Sequence, residues 1–139
     1  MVGRLPTLGL LTLVLAGPVG AERVTLVVTG LPEGTPKDAL LSIGANVNGW
    51  NPAAPGFTFD RQGERAPRLV IDVPAGTLLE YKVTRGTWDT VEKAPDGSER
   101  ANRTLDVVCE ATVEIVVARW ADANSTAPTR HTVTGRVER

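Results

Sequence analysis

The sequence predicts an all-β protein, an antiparallel immunoglobulin-like β-sandwich of about seven or eight strands. Short runs of residues alternate between apolar and polar side chains, which is the period-two pattern of strands with one buried face. Gly, Pro, Asn and Asp interrupt these runs every ~8–12 residues, as turns do in sandwiches. No window of about eleven residues or more keeps the 3.6-residue periodicity of an amphipathic helix. These observations together argue against helical and α/β folds.

The alternation also predicts which face of each strand is buried. In the strand at residues 78–84, Tyr81 and Val83 share the face toward the core, so Lys82 takes the outer face. The other strands are assigned in the same way. The predicted strands are residues 22–29, 39–45, 57–59, 68–73, 78–84, 87–92, 103–109 and 111–119.

The chain begins with a segment that has the pattern of a secretory signal rather than of a buried first strand. Arg4 precedes a mostly apolar stretch, and small residues follow up to a cleavage site after Ala21. The apolar stretch is too short to span a bilayer as a helix. We therefore expect a signal peptide at 1–21, a β-sandwich at 22–120, and a polar linker with a C-terminal tail at 121–139. A secreted or periplasmic protein follows, with no membrane attachment once the signal is removed.

Charge and cysteine content exclude several kinds of function. The 139 residues carry 15 basic and 16 acidic side chains, without a basic patch that would suit nucleic acid. Cys109 is the only cysteine, so no internal disulfide is possible. Its alternation with Leu105 and Val107 predicts a small buried hydrophobe. No cluster of His and Cys has the spacing of a zinc site, and no cofactor is expected.

Two Trp residues beside turns indicate a binding surface. Asn48-Gly49 is a strong turn signal, and Trp50 directly after it is expected at the edge of a sheet. In the segment after the turn at Gly86, Val91 falls opposite Trp88, so Trp88 faces outward as Lys82 does. The apolar face of a pyranose packs on an indole, while its hydroxyls need donors and acceptors such as Lys. This set of residues therefore favours a carbohydrate ligand.

The alternative is that these residues have only structural roles. Large aromatic residues are well buried on average, so the three Trp residues could all be core fillers, and Lys82 could be an ordinary solvated lysine. Trp120 stands at the end of a strand and is expected to plug the end of the sandwich.

Four segments carry a resemblance to a known family. They are Gly-Ala-Asn-Val-Asn-Gly-Trp-Asn-Pro at 44–52, Glu-Tyr-Lys at 80–82, Gly-Thr-Trp-Asp at 86–89 and Asn-Arg at 102–103. In this order they resemble the starch-binding modules of carbohydrate-binding family 20, over residues 24–117. In that family, one glucan site is built from the Trp of the turn, the Lys and the second Trp, and an Asn assists. By match, the resemblance implies a site of Trp50, Lys82, Trp88 and Asn102.

The chain departs from the family pattern in three places. Trp88 follows Lys82 more closely than in typical members. A longer hairpin at residues 90–101 stands where the family is short, and the family's second, Tyr-rich site has no counterpart because Tyr81 is the only tyrosine. The segments Thr-Trp-Asp-Thr-Val-Glu-Lys at 87–93 and Asn-Arg-Thr at 102–104 also resemble modules that precede esterase-type α/β-hydrolase domains in secreted bacterial proteins. In those proteins a polar linker leads to the catalytic domain, so a hydrolase domain or partner is expected with this chain.

Catalysis by these residues is not expected. There is no Gly-x-Ser-x-Gly motif, and His131, the only histidine, lies beyond the predicted linker. Two carboxylates could in principle act as a glycosidase pair. Most of the candidates are expected at turns or on outer faces, where they solvate the sheet; they are Asp60, Glu80, Asp89, Glu92 and Asp96. No metal site is expected either.

The sequence therefore predicts a non-catalytic module that binds α-glucan of the starch or glycogen type. Trp50 and Trp88 would stack on the sugar rings, and Lys82 would hydrogen-bond to hydroxyls. The rival is a structural spacer or protein-interaction domain, associated with a hydrolase, that keeps the fold without the sugar site. The hairpin at 90–101 favours the rival, because it could cover the site.

Overall fold

The structure is a computed structural model that describes Gly3 and residues 20–125. Eight strands and two short 3₁₀ helices follow one another in this part of the chain. The strands are β1 (Ala21–Gly30), β2 (Ser42–Ala45), β3 (Arg68–Pro74), β4 (Leu78–Thr84), β5 (Glu92–Lys93), β6 (Arg103–Asp106), β7 (Ala111–Val116) and β8 (Arg119–Trp120). The helices are η1 (Trp88–Thr90) and η2 (Ala121–Ser125).

Six of the strands form two three-stranded sheets. In the first sheet, β1 lies between β3, which runs antiparallel to it, and β7, which runs parallel. In the second, β4 lies between β2 and β6, both antiparallel. Strands β5 and β8 pair as a small separate ribbon. The prediction of an all-β sandwich is therefore confirmed, and the parallel β1–β7 pair is the exception to the antiparallel pairing that was expected.

The core lies between the two sheets and follows the alternation of the strands. Strand β3 buries Leu69, Ile71 and Val73 and exposes the residues between them. Tyr81 and Val83 of β4 belong to the same buried cluster, from the other sheet. Each aliphatic side chain buried in this way stabilises the fold by about 1.5–3 kcal/mol.

Trp120 closes one end of this core. Its side chain is buried, and its Nε1 donates to Oγ1 of Thr35 at 2.9 Å. The guanidinium of Arg85 lies 5.3 Å from the centroid of the indole. These residues line part of a cavity of about 450 Å³ beside η2. Trp120 thus acts as the plug that the sequence predicts.

Three local predictions were wrong. Residues 87–92 were expected to form a strand, but Thr90 closes a turn on Thr87 through its N–H (3.1 Å) and hydroxyl (2.9 Å), and η1 results. Within residues 57–59, Thr58 makes one isolated bridge, to Ser42, instead of a strand. Cys109 is exposed, because β6 ends at Asp106 and the alternation stops before it reaches the thiol.

Several predictions concern residues that the structure does not describe. The expected signal peptide lies outside the described residues except for Gly3, Gly20 and Ala21, and so does the tail from residue 126 onward, with His131. Within the described residues, no helix is long and apolar enough to cross a membrane.

Candidate functional site

The turn that follows β2 is held in place by the side chain of Asn48. Its Oδ1 accepts hydrogen bonds from the N–H groups of Ala45 at 2.9 Å and Asn51 at 3.1 Å. Its Nδ2 donates to the carbonyl of Ile43 at 3.0 Å. The N–H of Trp50 bonds in turn to the carbonyl of Ala45 at 2.8 Å. The position of Trp50 is therefore set by the hydrogen bonds of its own turn.

Asn46 joins the same turn to the second sheet. Its Nδ2 donates to the carbonyl of Leu78 at 2.8 Å, and its Oδ1 accepts from the N–H of Glu80 at 3.1 Å. The amides of Asn46 and Asn48 are thus engaged by backbone groups. They support the turn and are not the polar groups offered to a ligand.

Trp50 has an unusual backbone conformation. Its φ is 58°, which makes it the one non-glycine residue with positive φ among the described residues. A bulky residue in the left-handed region costs on the order of 1–3 kcal/mol and persists where the surrounding structure fixes it. Such strain is found at functional positions more often than elsewhere. Here it leaves the indole of Trp50 36% exposed.

Helix η1 brings a second indole onto this turn. Nε1 of Trp88 donates to the carbonyl oxygen of Trp50 at 3.1 Å, and the ring centroids lie 6.4 Å apart with planes inclined by 39°. Trp88 is 40% exposed. Gly44 of β2 allows this approach, because a Cβ at Gly44 would overlap the six-membered ring of Trp88. The two indoles form one tilted, partly exposed aromatic surface.

Lys82 lies next to this surface. It pairs with Gly44 across β2 and β4, and paired residues of antiparallel strands project to the same face, so Lys82 and the Trp88 ring share the outer face. Only 11% of its side chain is exposed. Nζ of Lys82 is ion-paired with Oε2 of Glu99, and the other carboxylate oxygen of Glu99, Oε1, is ion-paired with Lys93. Lys82 thus faces outward, as predicted, but is covered by the hairpin that follows β5.

Asn102 precedes β6 and is exposed. The pairing of β4 with β6 ends at Tyr81 and Arg103, so the next position of the same register brings Asn102 level with Lys82. The residues selected from the sequence therefore lie at neighbouring positions, with Trp50 on Trp88, Trp88 over Gly44, and Lys82 between Gly44 and Asn102.

Sequence analysis did not name Glu99 as a site residue. Its side chain is 65% exposed, and its bonds to Lys82 and then Lys93 lower its pKa from 4.5 to about 2. Glu99 reaches this place because Lys93 and Glu99 bridge across a tight turn at Asp96 and Gly97. The Asp-Gly pair inside the inserted hairpin was the available signal, since it predicts a turn that returns the chain beside β5.

The hydrogen bonds at the tip of this hairpin define its shape. Oδ1 of Asp96 accepts from the N–H of Ser98 at 2.9 Å and from its hydroxyl at 2.6 Å. These bonds from Ser98 hold the pKa of Asp96 below its ordinary value. Gly97 has a φ of 86°, which a glycine adopts without strain. The tip is a compact turn rather than an open loop.

Glu92 was expected at a turn or on an outer face of a sheet, and this prediction was wrong. It is fully buried, and its Oε2 accepts the N–H of Val83 at 2.8 Å. Arg103 binds both carboxylate oxygens, through Nε at 2.9 Å and Nη2 at 2.8 Å, and Arg100 adds a contact of 3.4 Å. A buried charge needs such partners. The pair of Glu92 and Arg103 therefore fastens β5 and β6 to β4.

The arrangement provides apolar and hydrogen-bonding groups side by side, as binding of a ligand with both kinds of surface requires. Two inclined rings provide an apolar surface for stacking, and an ion pair beside them provides hydrogen-bonding groups. Among the residues that the structure describes, no three or more His, Cys, Asp or Glu are placed to hold a metal ion.

Comparisons with known proteins identify long relatives. None of the protein-family models matches the chain. An alpha-amylase of Niallia circulans is 37% identical over 109 residues, which cover 78% of this chain and 8% of the relative. An amylopullulanase of Thermoanaerobacter thermohydrosulfuricus is 36% identical over 110 residues, covering 72% of this chain and 7% of the relative.

A second amylopullulanase, from Thermoanaerobacterium thermosulfurigenes, is 38% identical over 98 residues, or 66% of this chain and 5% of the relative. The chain thus spans less than a tenth of the length of each of these relatives. What it shares with them is one short segment of a much longer protein.

Proposed function

We propose that residues 22–120 form a non-catalytic module that binds α-glucan, of the family-20 starch-binding type. The observation that carries this proposal is the pair of Trp50 and Trp88, whose exposed rings lie 6.4 Å apart and are inclined by 39°. A curved glucan chain presents successive pyranose faces at an angle, and an inclined pair of indoles matches that shape. The strained φ of Trp50 is consistent with a ring that is held ready for a ligand.

The relatives support the choice of α-glucan. Their names, alpha-amylase and amylopullulanase, describe enzymes that act on polymers of this kind. The chain matches only 5–8% of each, which is the share expected of an accessory module rather than of a catalytic domain. Its partner would accordingly be a hydrolase domain, joined through the polar stretch at 121–139. A signal peptide at 1–21 would make the whole a secreted or periplasmic protein.

The polar side of the proposed site consists of Lys82 and Asn102, which would hydrogen-bond to sugar hydroxyls. The surface is shallow, and both indoles already contact solvent, so few groups become fully desolvated on binding. Dissociation constants between roughly tens of micromolar and a millimolar follow from such a site.

Affinity electrophoresis tests the proposal. The protein is run in native gels that contain amylopectin, and in matched gels that contain dextran, whose linkages differ. Retardation in amylopectin alone, abolished in the Trp50→Ala/Trp88→Ala double variant, is the expected result. Unchanged mobility of the wild-type protein in amylopectin would refute glucan binding.

A spacer or protein-interaction domain associated with a hydrolase is the second candidate. The observation in its favour is that Lys82, expected to contact sugar, is covered and ion-paired with Glu99. If this candidate is correct, the isolated chain leaves amylopectin unbound, and it binds instead to a purified hydrolase domain in sedimentation experiments.

A further inference from the structure

Lys82, which shares the outer face with the ring of Trp88, is paired with a carboxylate that is more exposed than the lysine itself. The side chain of Lys82 is 11% exposed, whereas that of Glu99 is 65% exposed, and the two are in direct contact. One of the three N–H donors of Lys82 is directed at Glu99. A ligand that stacks on Trp50 and Trp88 therefore meets the carboxylate of Glu99 more readily than the ammonium of Lys82.

Glu99 is held from two sides. Lys82 donates to Oε2 and Lys93 donates to Oε1, so each carboxylate oxygen has one charged partner. A carboxylate has about four acceptor positions, which leaves one on each oxygen for a further hydrogen bond. Two acceptors on one planar group suit the two O–H donors of neighbouring sugar hydroxyls, and such bonds are stronger for an ionised acceptor.

We infer that Glu99 accepts hydrogen bonds from the hydroxyls of a glucan stacked on Trp50 and Trp88, and that Lys82 and Lys93 are positioning residues for its carboxylate. The inference rests on the proposed function and changes the role of Lys82 from sugar donor to support. It also gives the inserted hairpin a function, because the hairpin brings the acceptor to Lys82, which shares the outer face with the ring of Trp88. Its bonds to Lys82 and Lys93 lower the pKa of Glu99 from 4.5 to about 2, which favours the ionised form of the acceptor.

Isothermal titration calorimetry with β-cyclodextrin tests the inference. We expect Glu99→Gln and Glu99→Ala to bind about tenfold more weakly than the wild type, because a charged acceptor is lost. The control is Glu114→Gln, which alters an exposed glutamate on β7 in the other sheet and should leave affinity unchanged. Unchanged or tighter binding by the Glu99 variants would overturn the inference, since tighter binding means that Glu99 blocks Lys82.

The ligand can be varied in the same experiment. An O-methylated β-cyclodextrin keeps the apolar sugar faces and lacks some of the O–H donors. Methylation should weaken binding to the wild type more than binding to Glu99→Ala, because the variant has already lost the acceptor. An equal loss in both proteins speaks against a bond between Glu99 and these hydroxyls.

The positioning role has its own readout. Lys93→Met should weaken binding in the wild-type background and have no further effect in the Glu99→Ala background. Equal effects in both backgrounds would show that Lys93 acts independently of Glu99.

Failure of the inference is distinguishable from failure of the proposed function. Glucan binding that is lost in Trp88→Ala but kept in the Glu99 variants overturns the inference alone, whereas absence of binding by the wild type overturns both.

Discussion

Nε1 of Trp88 donates a hydrogen bond to the carbonyl oxygen of Trp50 at 3.1 Å, so each tryptophan helps to fix the other. The first follows the turn after β2, and the second lies in η1 beyond the end of β4. Their backbones are held separately, and the bond joins them into one surface. Substitutions at the two positions should therefore have effects that do not add.

Trp88→Ala is expected to weaken glucan binding tenfold or more and to leave the domain folded. The ring is 40% exposed and outside the buried cluster, so its loss removes stacking without opening the core. Calorimetric titration with maltoheptaose measures the affinity, and circular dichroism measures the fold. Trp88→Phe is the matched control, because it keeps a ring but loses the N–H donor. Its affinity for maltoheptaose should lie between those of the wild type and Trp88→Ala. Loss of the folded state in Trp88→Ala would assign the ring to the core.

Gly44→Ala is expected to displace the ring of Trp88 and thereby to weaken binding. An added Cβ would overlap that ring, and Gly44 is not one of the glycines with positive φ, so the strain lies in the contact rather than in the backbone. Overpacking of this kind costs about 1–3 kcal/mol. Near-ultraviolet circular dichroism should show a change in the signal of the Trp pair.

The double variant Gly44→Ala/Trp88→Ala provides the control for this effect. Without the ring there is nothing to displace, so Gly44→Ala should then change stability little. A destabilisation of the same size in both backgrounds would mean that the methyl group clashes elsewhere.

The period-two pattern was sufficient to predict the sandwich and the faces of its long strands. Strand β4 shows why: Tyr81 and Val83 enter the core, and Lys82 lies on the outer face. Alternation depends only on the backbone geometry within one strand, so the predicted buried and exposed faces are correct wherever the strand forms. It failed for residues 87–92, where hydrogen bonds of a turn form η1, and for Cys109, which lies beyond the end of β6 at Asp106.

The parts of the site that the sequence did not predict depend on contacts between distant residues. Lys82 was correctly oriented, but its pairing with Glu99 is set by a hairpin 17 residues further along. Glu92 could not be recognised as buried, because its burial depends on Arg103 from another strand. Period-two patterns carry no information on such ion pairs. Only the Asp-Gly pair at residues 96–97 predicted where the chain turns back beside β5.

The ion pairs of Glu99 predict a dependence of stability on pH. Hydrogen bonds from Lys82, then Lys93, lower the pKa of Glu99 from 4.5 to about 2, so the folded state favours the ionised form. The stabilisation is therefore complete above pH ~4.5 and is lost as the pH falls toward 2. The effect is reduced by solvent screening, because the Glu99 side chain is 65% exposed.

Urea denaturation at a series of pH values measures this effect. Between about pH 5 and pH 2 the wild type should lose more stability than Glu99→Gln, and added salt should shrink the difference. Glu114→Gln should follow the wild type throughout. Parallel curves for the wild type and Glu99→Gln would show that these ion pairs do not contribute in solution.

Glu92→Gln is expected to destabilise the domain by about 3–5 kcal/mol, because it leaves the partly buried guanidinium of Arg103 without a charged partner. Urea denaturation measures the change, and Glu114→Gln, on an exposed face, should stay within about 0.5 kcal/mol of the wild type. Replacing both partners, as in Glu92→Leu/Arg103→Met, should cost less than the sum of the single changes, since no charge is then left unpaired. Because the aromatic surface is formed by Trp50 and Trp88, folded Glu92→Gln should still bind glucan through the indoles. A cost below about 1 kcal/mol for Glu92→Gln would mean that the pair contributes little to the stability of this end of the sandwich.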